Sequence, residues 1–253
     1  MGTPVAIRGA VMNLNTPRLA LVALASLAPL AGCATVTPPP PVMALEGASR
    51  GAAGGTSVTA FGGANAGVFL ESALGGGARV AHRVSDEVSL GVEGVAGAVV
   101  DSNGDPASPR RLFAGRAHVQ LNPGASEHLA LTLGFGGGGA NNDLGYVTAD
   151  VGARVSTRVA RGVLEPYAGA VLAGSVPVSA PAEAVQRVEG GDHRYAATAY
   201  AGLDLGLVVR ATERLDVAFD VLLLGGVSAS NNALMATPTL GLRYNFGAPR
   251  AAR

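Results

Sequence analysis

A two-residue alternation of apolar with small or polar side chains recurs along most of this chain and restricts its fold more than any other feature. Successive side chains of a β-strand point to opposite faces, so the alternation predicts strands with one apolar face each. It is clearest in segments 128–136, 147–156, 195–210, 215–223 and 236–246, and good in 113–121. It is moderate in 88–99 and weaker in 57–70, 77–84 and 163–175, where the phase is ambiguous.

Composition narrows the choice of environment. Hydrophobic residues make up 48% of the chain and charged residues 14%, against about 25% charge in an average soluble domain. Beyond the N-terminus, no stretch approaches the roughly 20 apolar residues that a membrane helix needs, and 37 Gly and 15 Pro disfavour long helices. Such a chain forms either a buried sheet or a membrane barrel.

The connections between the predicted strands alternate in length. Segments 85–86, 122–126, 160–162 and 212–213 are short, whereas 101–109, 140–145, 177–192 and 228–234 are longer and rich in Gly, Asn, Asp and Pro. Short periplasmic turns and longer outer loops are typical of outer-membrane barrels. We therefore predict an all-β fold, an antiparallel up-and-down transmembrane β-barrel of about ten strands (8–10), with both ends in the periplasm.

Alternation alone does not separate this barrel from a soluble β-sandwich or a lipocalin-like barrel, in which the apolar face points inward. Charged residues favour the membrane barrel, because they recur mid-strand on the face that otherwise carries small polar residues. We predict that they form an ion-paired network filling a narrow lumen. Its members are Glu93, Arg116, His118, Asp150, Arg154, Asp204, Arg210, Asp220 and Arg243.

The last predicted strand carries a second indication. Thr239, Gly241, Tyr244 and Phe246 match the polar, glycine and two aromatic positions of the C-terminal β-signal of bacterial outer-membrane proteins, which the strand resembles. The resemblance implies insertion by the barrel-assembly machinery, and the overall pattern is similar to OmpA-like small outer-membrane barrels. The chain departs from the signal in one respect, because residues 247–253 follow Phe246, whereas the final aromatic residue of the β-signal usually ends the chain or nearly so. The sparse aromatic residues leave Tyr146, Tyr167, Tyr195, Tyr244 and Phe246 as candidates for the interfacial girdles.

The N-terminus has the form of a secretory signal. Arg18 is followed by a short apolar run and by Leu30, Ala31, Gly32 and Cys33. These four residues resemble the lipobox of bacterial lipoproteins, which implies a covalent lipid on Cys33, cleavage before it, and handling by the lipoprotein-sorting machinery. Ala34, where enteric lipoproteins retained in the inner membrane carry Asp, favours the outer membrane by the same resemblance. The alternative is an ordinary signal with an incidental cysteine.

Four segments follow from these features. Residues 1–32 are a lipoprotein signal peptide, beginning at Met1 or Met12, and residues 33–55 are a lipidated tether rich in Pro, Ala and Gly. Residues 56–247 are the outer-membrane barrel, and 248–253 are a short C-terminal tail.

Candidates for chemistry are few. The glycine runs 75–77 and 136–139 lack the signature of a phosphate loop and are interpreted as flexible outer hairpins. Asp192 and His193, with Asp101 or Asp105, could mimic the rim of an omptin-type protease, although no omptin motif is present, and nothing specifies a lipid-modifying enzyme. His82, His118, His128 and His193 are scattered, and Cys33 is the only cysteine, so no metal site is predicted. We predict no catalytic residue and no cofactor apart from the lipid.

The sequence therefore predicts a non-enzymatic component of the outer membrane. It would act as a structural or interaction protein with envelope protein partners, for example in a surface-adhesion, motility or export assembly. A small channel or solute carrier is the first alternative, and a lipid-anchored soluble β-sandwich or lipocalin-like binding domain is the second. Basic and acidic residues balance at 18 each without a basic stripe, so nucleic acid is not expected as a partner.

Overall fold

A computed structural model describes residues 45, 48, 53–68, 72–100, 111–140, 145–179, 186–188, 191–193, 197–228 and 232–247. Within them, ten antiparallel strands close into a barrel, which confirms the predicted fold class. The barrel strands are β1 (Thr56–Val68), β2 (Ser72–Arg83), β3 (Val88–Val100), β4 (Arg111–Leu121), β5 (Leu129–Ala140), β6 (Gly145–Ser156), β7 (Leu164–Ser179), β10 (Thr198–Arg210), β11 (Leu215–Ser228) and β12 (Asn232–Phe246). A two-stranded hairpin, β8 (Gln186–Val188) and β9 (Gly191–His193), lies in the connection from β7 to β10.

Each barrel strand pairs with its neighbours along the chain, and β1 pairs with β12 to close the ring. At that seam Thr56 lies opposite Phe246 and Val68 opposite Leu234. A closed ring has no free sheet edge, so every strand finds backbone partners on both sides. The described part of the chain contains no helix long and apolar enough to cross a membrane.

One end of the barrel carries the connections β2–β3, β4–β5, β6–β7 and β10–β11, which are four to seven residues long, and we call it the turn end. Two of its turns contain single 3₁₀ turns, Pro123–Ala125 and Ala160–Gly162. Ala160 and Arg161 have φ of 50° and 58° there, so the backbone of the turn that leads into β7 adopts a left-handed conformation. The opposite end, which we call the loop end, carries the two longest connections, 101–110 and 180–197, most of whose residues lie outside the described ranges. Its other three connections, 69–71, 141–144 and 229–231, are only three or four residues long, so the predicted alternation of connection length is confirmed only in part.

The outer surface of the barrel is apolar. Phe135 is 66% exposed, and Leu133 and Phe113 are also exposed on the same side of the sheet. A soluble β-sandwich or lipocalin-like barrel would bury such side chains, so the observed arrangement is the inverse of that alternative. The band is formed by Val80, Leu90, Val92, Phe113, Leu131, Leu133, Phe135, Val147, Val151, Val155, Leu172, Val176, Leu203, Leu205, Phe219, Leu223, Leu240 and Leu242.

The two glycine runs are strand residues, so their interpretation as outer hairpins was wrong. Residues 75–77 lie within β2 and residues 136–139 within β5. At Gly138 an added Cβ would lie 2.6 Å from Cζ of Tyr146, and at Gly77 it would lie 2.7 Å from Cζ of Phe61. Gly77 and Gly138 are therefore places where an aromatic ring from the neighbouring strand lies against the lumen wall.

The proposed girdle positions divide into two groups. Tyr244 and Phe246 are exposed on the outside at the turn end, with ring centroids 4.7 Å apart. Tyr146 and Tyr167 are 4% and 5% exposed and point into the lumen, so they were wrong as girdle residues. Side chains alternate between the two faces of β6, and Tyr146 lies on the same face as Thr148 and Asp150. Tyr146 therefore points into the lumen. Tyr195 lies outside the described residues.

Candidate functional site

The lumen is the candidate site, because it gathers the buried charged residues of the barrel. Its central feature is a chain of alternating charge across β2, β3, β4 and β6. Nε of Arg79 donates to Glu93 at 2.7 Å, and Nη1 of Arg116 donates to the other oxygen of Glu93 at 2.8 Å. Arg116 also makes a two-pronged contact with Asp150, with Nε 2.7 Å from Oδ2. All four side chains are almost fully buried.

A second group of polar residues continues the network on the next strands. Nε of Arg154 on β6 donates to Asp204 on β10 at 2.9 Å. The hydroxyl of Tyr167 on β7 donates to Asp220 on β11 at 3.0 Å. The Arg154 guanidinium also lies 5.5 Å from the centroid of the Tyr167 ring, so the two pairs form one continuous polar layer.

Three of these contacts join side chains on strands that are two apart in the sheet. In each case a glycine on the intervening strand lies beneath the contact. Gly134 separates Arg116 from Asp150, Gly169 separates Arg154 from Asp204, and Gly206 separates Tyr167 from Asp220. A Cβ at Gly134 would lie 2.6 Å from Nη2 of Arg116, and one at Gly206 would lie 2.6 Å from Cε1 of Tyr167. The missing side chains are what allow strands two apart to be joined across the lumen wall.

Ion pairs also lie at the turn end of the lumen. Arg243 on β12 donates to Asp216 on β11, with Nη2 2.7 Å from Oδ2. Arg210 on β10 contacts Glu165 on β7 at 3.3 Å. In each of these ion pairs a buried charge is compensated by an opposite one, which is the condition for keeping ionised groups out of bulk water. The buried Asp220 instead accepts a hydrogen bond from the Tyr167 hydroxyl.

The structure thus places Glu93, Arg116, Asp150, Arg154, Asp204, Arg210, Asp220 and Arg243 in one polar lumen. Sequence reasoning missed Arg79 and Glu165, which lie on β2 and β7. These two strands alternate weakly in sequence, so their inward faces could not be assigned. Once the strand register is known, the side chains of Arg79 and Glu165 can be assigned to the same face of the sheet as the charged residues of the neighbouring strands. That register is known only from the structure.

The histidines are dispersed in the structure too. His118 is buried, and its imidazole covers Gly91 on the adjacent strand. His82 and His128 lie near the turn end, where Nδ1 of His82 is 3.0 Å from the Thr56 hydroxyl and Nδ1 of His128 is 3.1 Å from the Ser156 carbonyl. Among the described residues, no group of three His, Cys, Asp or Glu side chains is placed to hold a metal ion.

The rim residues considered for an omptin-type site lie largely outside what the structure describes, so that site stays a prediction. The backbone of Asp192 and His193 belongs to the β8–β9 hairpin, and their side chains lie outside what is described. Asp101 and Asp105 also fall outside the described residues, as do Leu30, Ala31, Gly32 and Cys33.

Toward the loop end the lumen becomes apolar. Val171, Tyr200, Leu222, Leu224 and Met235 pack together there and are at most 6% exposed. The adjacent hydroxyls of Thr148 and Ser175 are buried. This layer lies beyond the polar layer, so a solute crossing the lumen would meet packed apolar side chains as well as ion pairs.

Two residues upstream of β1 also lie against the lumen wall. Leu45 is 0% exposed and belongs to an apolar cluster with Phe61, Tyr167, Val208 and Ala218. Ala48 is likewise 0% exposed. Both residues belong to the segment that the sequence assigns to the tether.

The four positions of the β-signal divide between the two faces of β12. Thr239 is buried in the lumen, and Gly241 lies on the same face beneath Leu45. Tyr244 and Phe246 point outward.

Solved structures similar to this chain include outer-membrane barrels. The N-terminal β-barrel domain of Pseudomonas aeruginosa OprF is 16% identical, with 77% of this chain and 98% of that chain covered at a TM-score of 0.33. The outer membrane protease OmpT from Escherichia coli is 10% identical, with 76% and 96% covered at a TM-score of 0.38. A loop L8 deletion mutant of OmpT, an outer membrane protein of Vibrio cholerae, is 12% identical at a TM-score of 0.33.

The match to the Vibrio cholerae protein covers 69% of this chain, which spans about half of that protein's length (54%). No family model and no curated protein matches the chain. The likenesses concern the fold alone, and the barrel is established by its own strand pairing and by its apolar outer surface. One of the three proteins is a protease by name, and nothing about activity is carried over from any of them.

Proposed function

We propose that the protein is a sealed, non-enzymatic outer-membrane barrel lipoprotein that serves as a structural or interaction component of the cell envelope. Its turn end faces the periplasm, with the Cys33 lipid in the inner leaflet, and its loops face outward. The loops would contact envelope protein partners, as in an adhesion, motility or export assembly. The barrel-assembly and lipoprotein-sorting machineries would deliver it.

The observation that carries this proposal is the buried ion-pair network across the lumen. A barrel of about eight strands is filled by its own side chains, whereas water-filled channels need about sixteen. Ten strands lie near the lower limit, and the lumen holds the compensated pairs around Arg116 and Arg154 as well as the apolar layer at the loop end. A lumen filled in this way favours a structural role over the transport of a solute.

The double variant Arg116→Ala, Arg154→Ala tests the seal. It removes the two guanidiniums that join Glu93 to Asp150 and bind Asp204, and so leaves buried carboxylates without their partners. In planar lipid bilayers we expect the wild type to be silent and the double variant to show conductance steps. Arg158→Ala is the control, because Arg158 pairs with a half-exposed Glu127 at the turn end, and we expect it to be silent. Conductance steps of the same size from the wild type and the double variant would support the small-channel alternative instead, and silence of both would contradict the role of the two arginines in sealing the lumen.

The lipid anchor is tested separately with Cys33→Ser. We expect this variant to lose incorporation of labelled fatty acid and to remain in the outer-membrane fraction, because the apolar barrel surface is a second anchor. Its unboiled band in a detergent gel should still migrate differently from the boiled band. Release of Cys33→Ser as a soluble protein without a heat-dependent shift would contradict the membrane barrel, and unchanged labelling would contradict lipidation.

A further inference from the structure

The polar layer at mid-height of the lumen holds one more carboxyl group than it holds guanidiniums. Among the described residues, its acidic side chains are Glu93, Asp150, Asp204 and Asp220, and its basic ones are Arg79, Arg116 and Arg154. The two ion pairs at the turn end are balanced in themselves. Three positive charges compensate three of the four carboxylates, so the fourth needs another source of charge balance.

Asp220 on β11 is the carboxyl group without a cation of its own. Its side chain is buried, with the residue 1% exposed, and its hydrogen bond comes from the uncharged hydroxyl of Tyr167 at 3.0 Å. No ion pair between described residues includes it. The residue opposite it on β12 is Thr239, which does not titrate, and the inward Arg243 of that strand is bonded to Asp216.

The other charged groups around Asp220 already have partners. Two guanidiniums lie within electrostatic reach of its carboxyl group, those of Arg79 on β2 and Arg154 on β6. Nε of Arg79 donates to Glu93 at 2.7 Å, and Nε of Arg154 donates to Asp204 at 2.9 Å. Asp204 on β10 adds a second negative charge close to Asp220. A buried carboxylate beside a like charge is costly, and such a group takes up a proton instead.

We infer that the carboxyl group of Asp220 carries a proton in the folded barrel and is the proton-binding site of the lumen. In this form it is uncharged, accepts the hydrogen bond from Tyr167, and leaves the polar layer with as many negative as positive charges. When the proton is lost, two neighbouring carboxylates compete for Arg154, which joins β6 to β10 across Gly169. The proton therefore keeps Arg154 on Asp204. This inference goes beyond the proposed function and does not depend on it.

The pH dependence of stability tests the inference, with the detergent-folded wild type compared with Asp220→Asn. An aspartic acid in the unfolded chain ionises at about pH 4, so above that pH the wild type takes up a proton on folding. By linkage, its folding equilibrium constant should fall up to about tenfold per pH unit as the pH rises. Asparagine resembles the neutral acid in shape but does not titrate, so its slope should be shallower by that amount. Urea titrations between about pH 5 and pH 8 measure both slopes.

Two further variants make the assignment specific, and the heat-dependent gel shift verifies that each is folded. Glu127→Gln changes a half-exposed carboxyl group at the turn end and should keep the wild-type slope. Asp204→Asn removes the negative charge beside Asp220, so its slope should end at a lower pH than that of the wild type.

Infrared spectra give an independent readout. The carbonyl stretch of a protonated carboxylic acid should be present in the folded wild type and absent from Asp220→Asn. Parallel stability curves of the wild type and Asp220→Asn, or spectra without that difference, would overturn the inference. None of these measurements uses conductance, so the sealed barrel and the protonated Asp220 can fail separately.

Discussion

Gly134→Val is expected to lower the free energy of unfolding by about 3–5 kcal/mol, the cost of breaking a buried ion pair. Arg116 reaches Asp150 only across the bare backbone of Gly134, because these two side chains fill the space where its Cβ would be. A valine there forces the guanidinium away and leaves the Asp150 carboxylate in the lumen without its partner.

The matched control is Gly94→Val. Gly94 also lies within a barrel strand, but it points outward, and an added Cβ there has no atom within 4 Å. Valine favours strands over glycine, so stability should stay equal or rise. Urea titration followed by far-UV circular dichroism is the appropriate measurement, since the chain has no Trp. Equal effects of the two valines would contradict the role of Gly134 as a gap under the ion pair.

Phe135→Arg is expected to make the free energy of folding into lipid vesicles less favourable by about 2–4 kcal/mol, the range for a cation on the lipid face near the bilayer midplane. Phe135 lies in the middle of β5, points outward and is 66% exposed. A guanidinium there must enter hydrocarbon or bend toward the interface. On a soluble barrel the same position would face water, and the substitution would cost little.

Two variants make this measurement specific. Phe135→Ala removes the ring without adding a charge and gives the part of the loss that is due to size. Val84→Arg adds the same charge at the turn between β2 and β3, where the side chain is exposed and the expected cost is about 0–1 kcal/mol near an interface. If Phe135→Arg costs no more than Val84→Arg, the apolar band does not lie in a membrane.

The sequence predicted which face of a strand points outward wherever alternation was strict, because parity along a strand is a local property. Leu133 and Phe135, or Leu240 and Leu242, needed no knowledge of the neighbouring strands. Parity also placed Asp150 and Arg154 on the other face. The phase of β7 was ambiguous, so Glu165 and Tyr167 could not be assigned to the lumen.

Pairing within the lumen depends on register, which alternation does not encode. Arg116 meets Asp150 because Gly134 lies between them in the register of three strands. The glycines of β5 resemble a flexible hairpin in composition, and only the space demanded by Arg116 and Tyr146 explains them as strand residues. The position of Leu45 was beyond sequence reasoning for a similar reason, since a single leucine after a proline-rich stretch has no periodicity to reveal its partner.

Leu45 lies at the seam of the barrel, and this bears on the order of assembly. Leu45 contacts Phe61 on the first strand of the barrel and covers Gly241 on β12, and β12 is the last of the ten barrel strands in chain order. Until β12 pairs with β1, the wall is open at the place where Leu45 will lie. A side chain connected to β1 by so short a segment is present there at high local concentration. Ring closure and burial of Leu45 then become one kinetic event, in which the leucine bridges the two edges that have to meet.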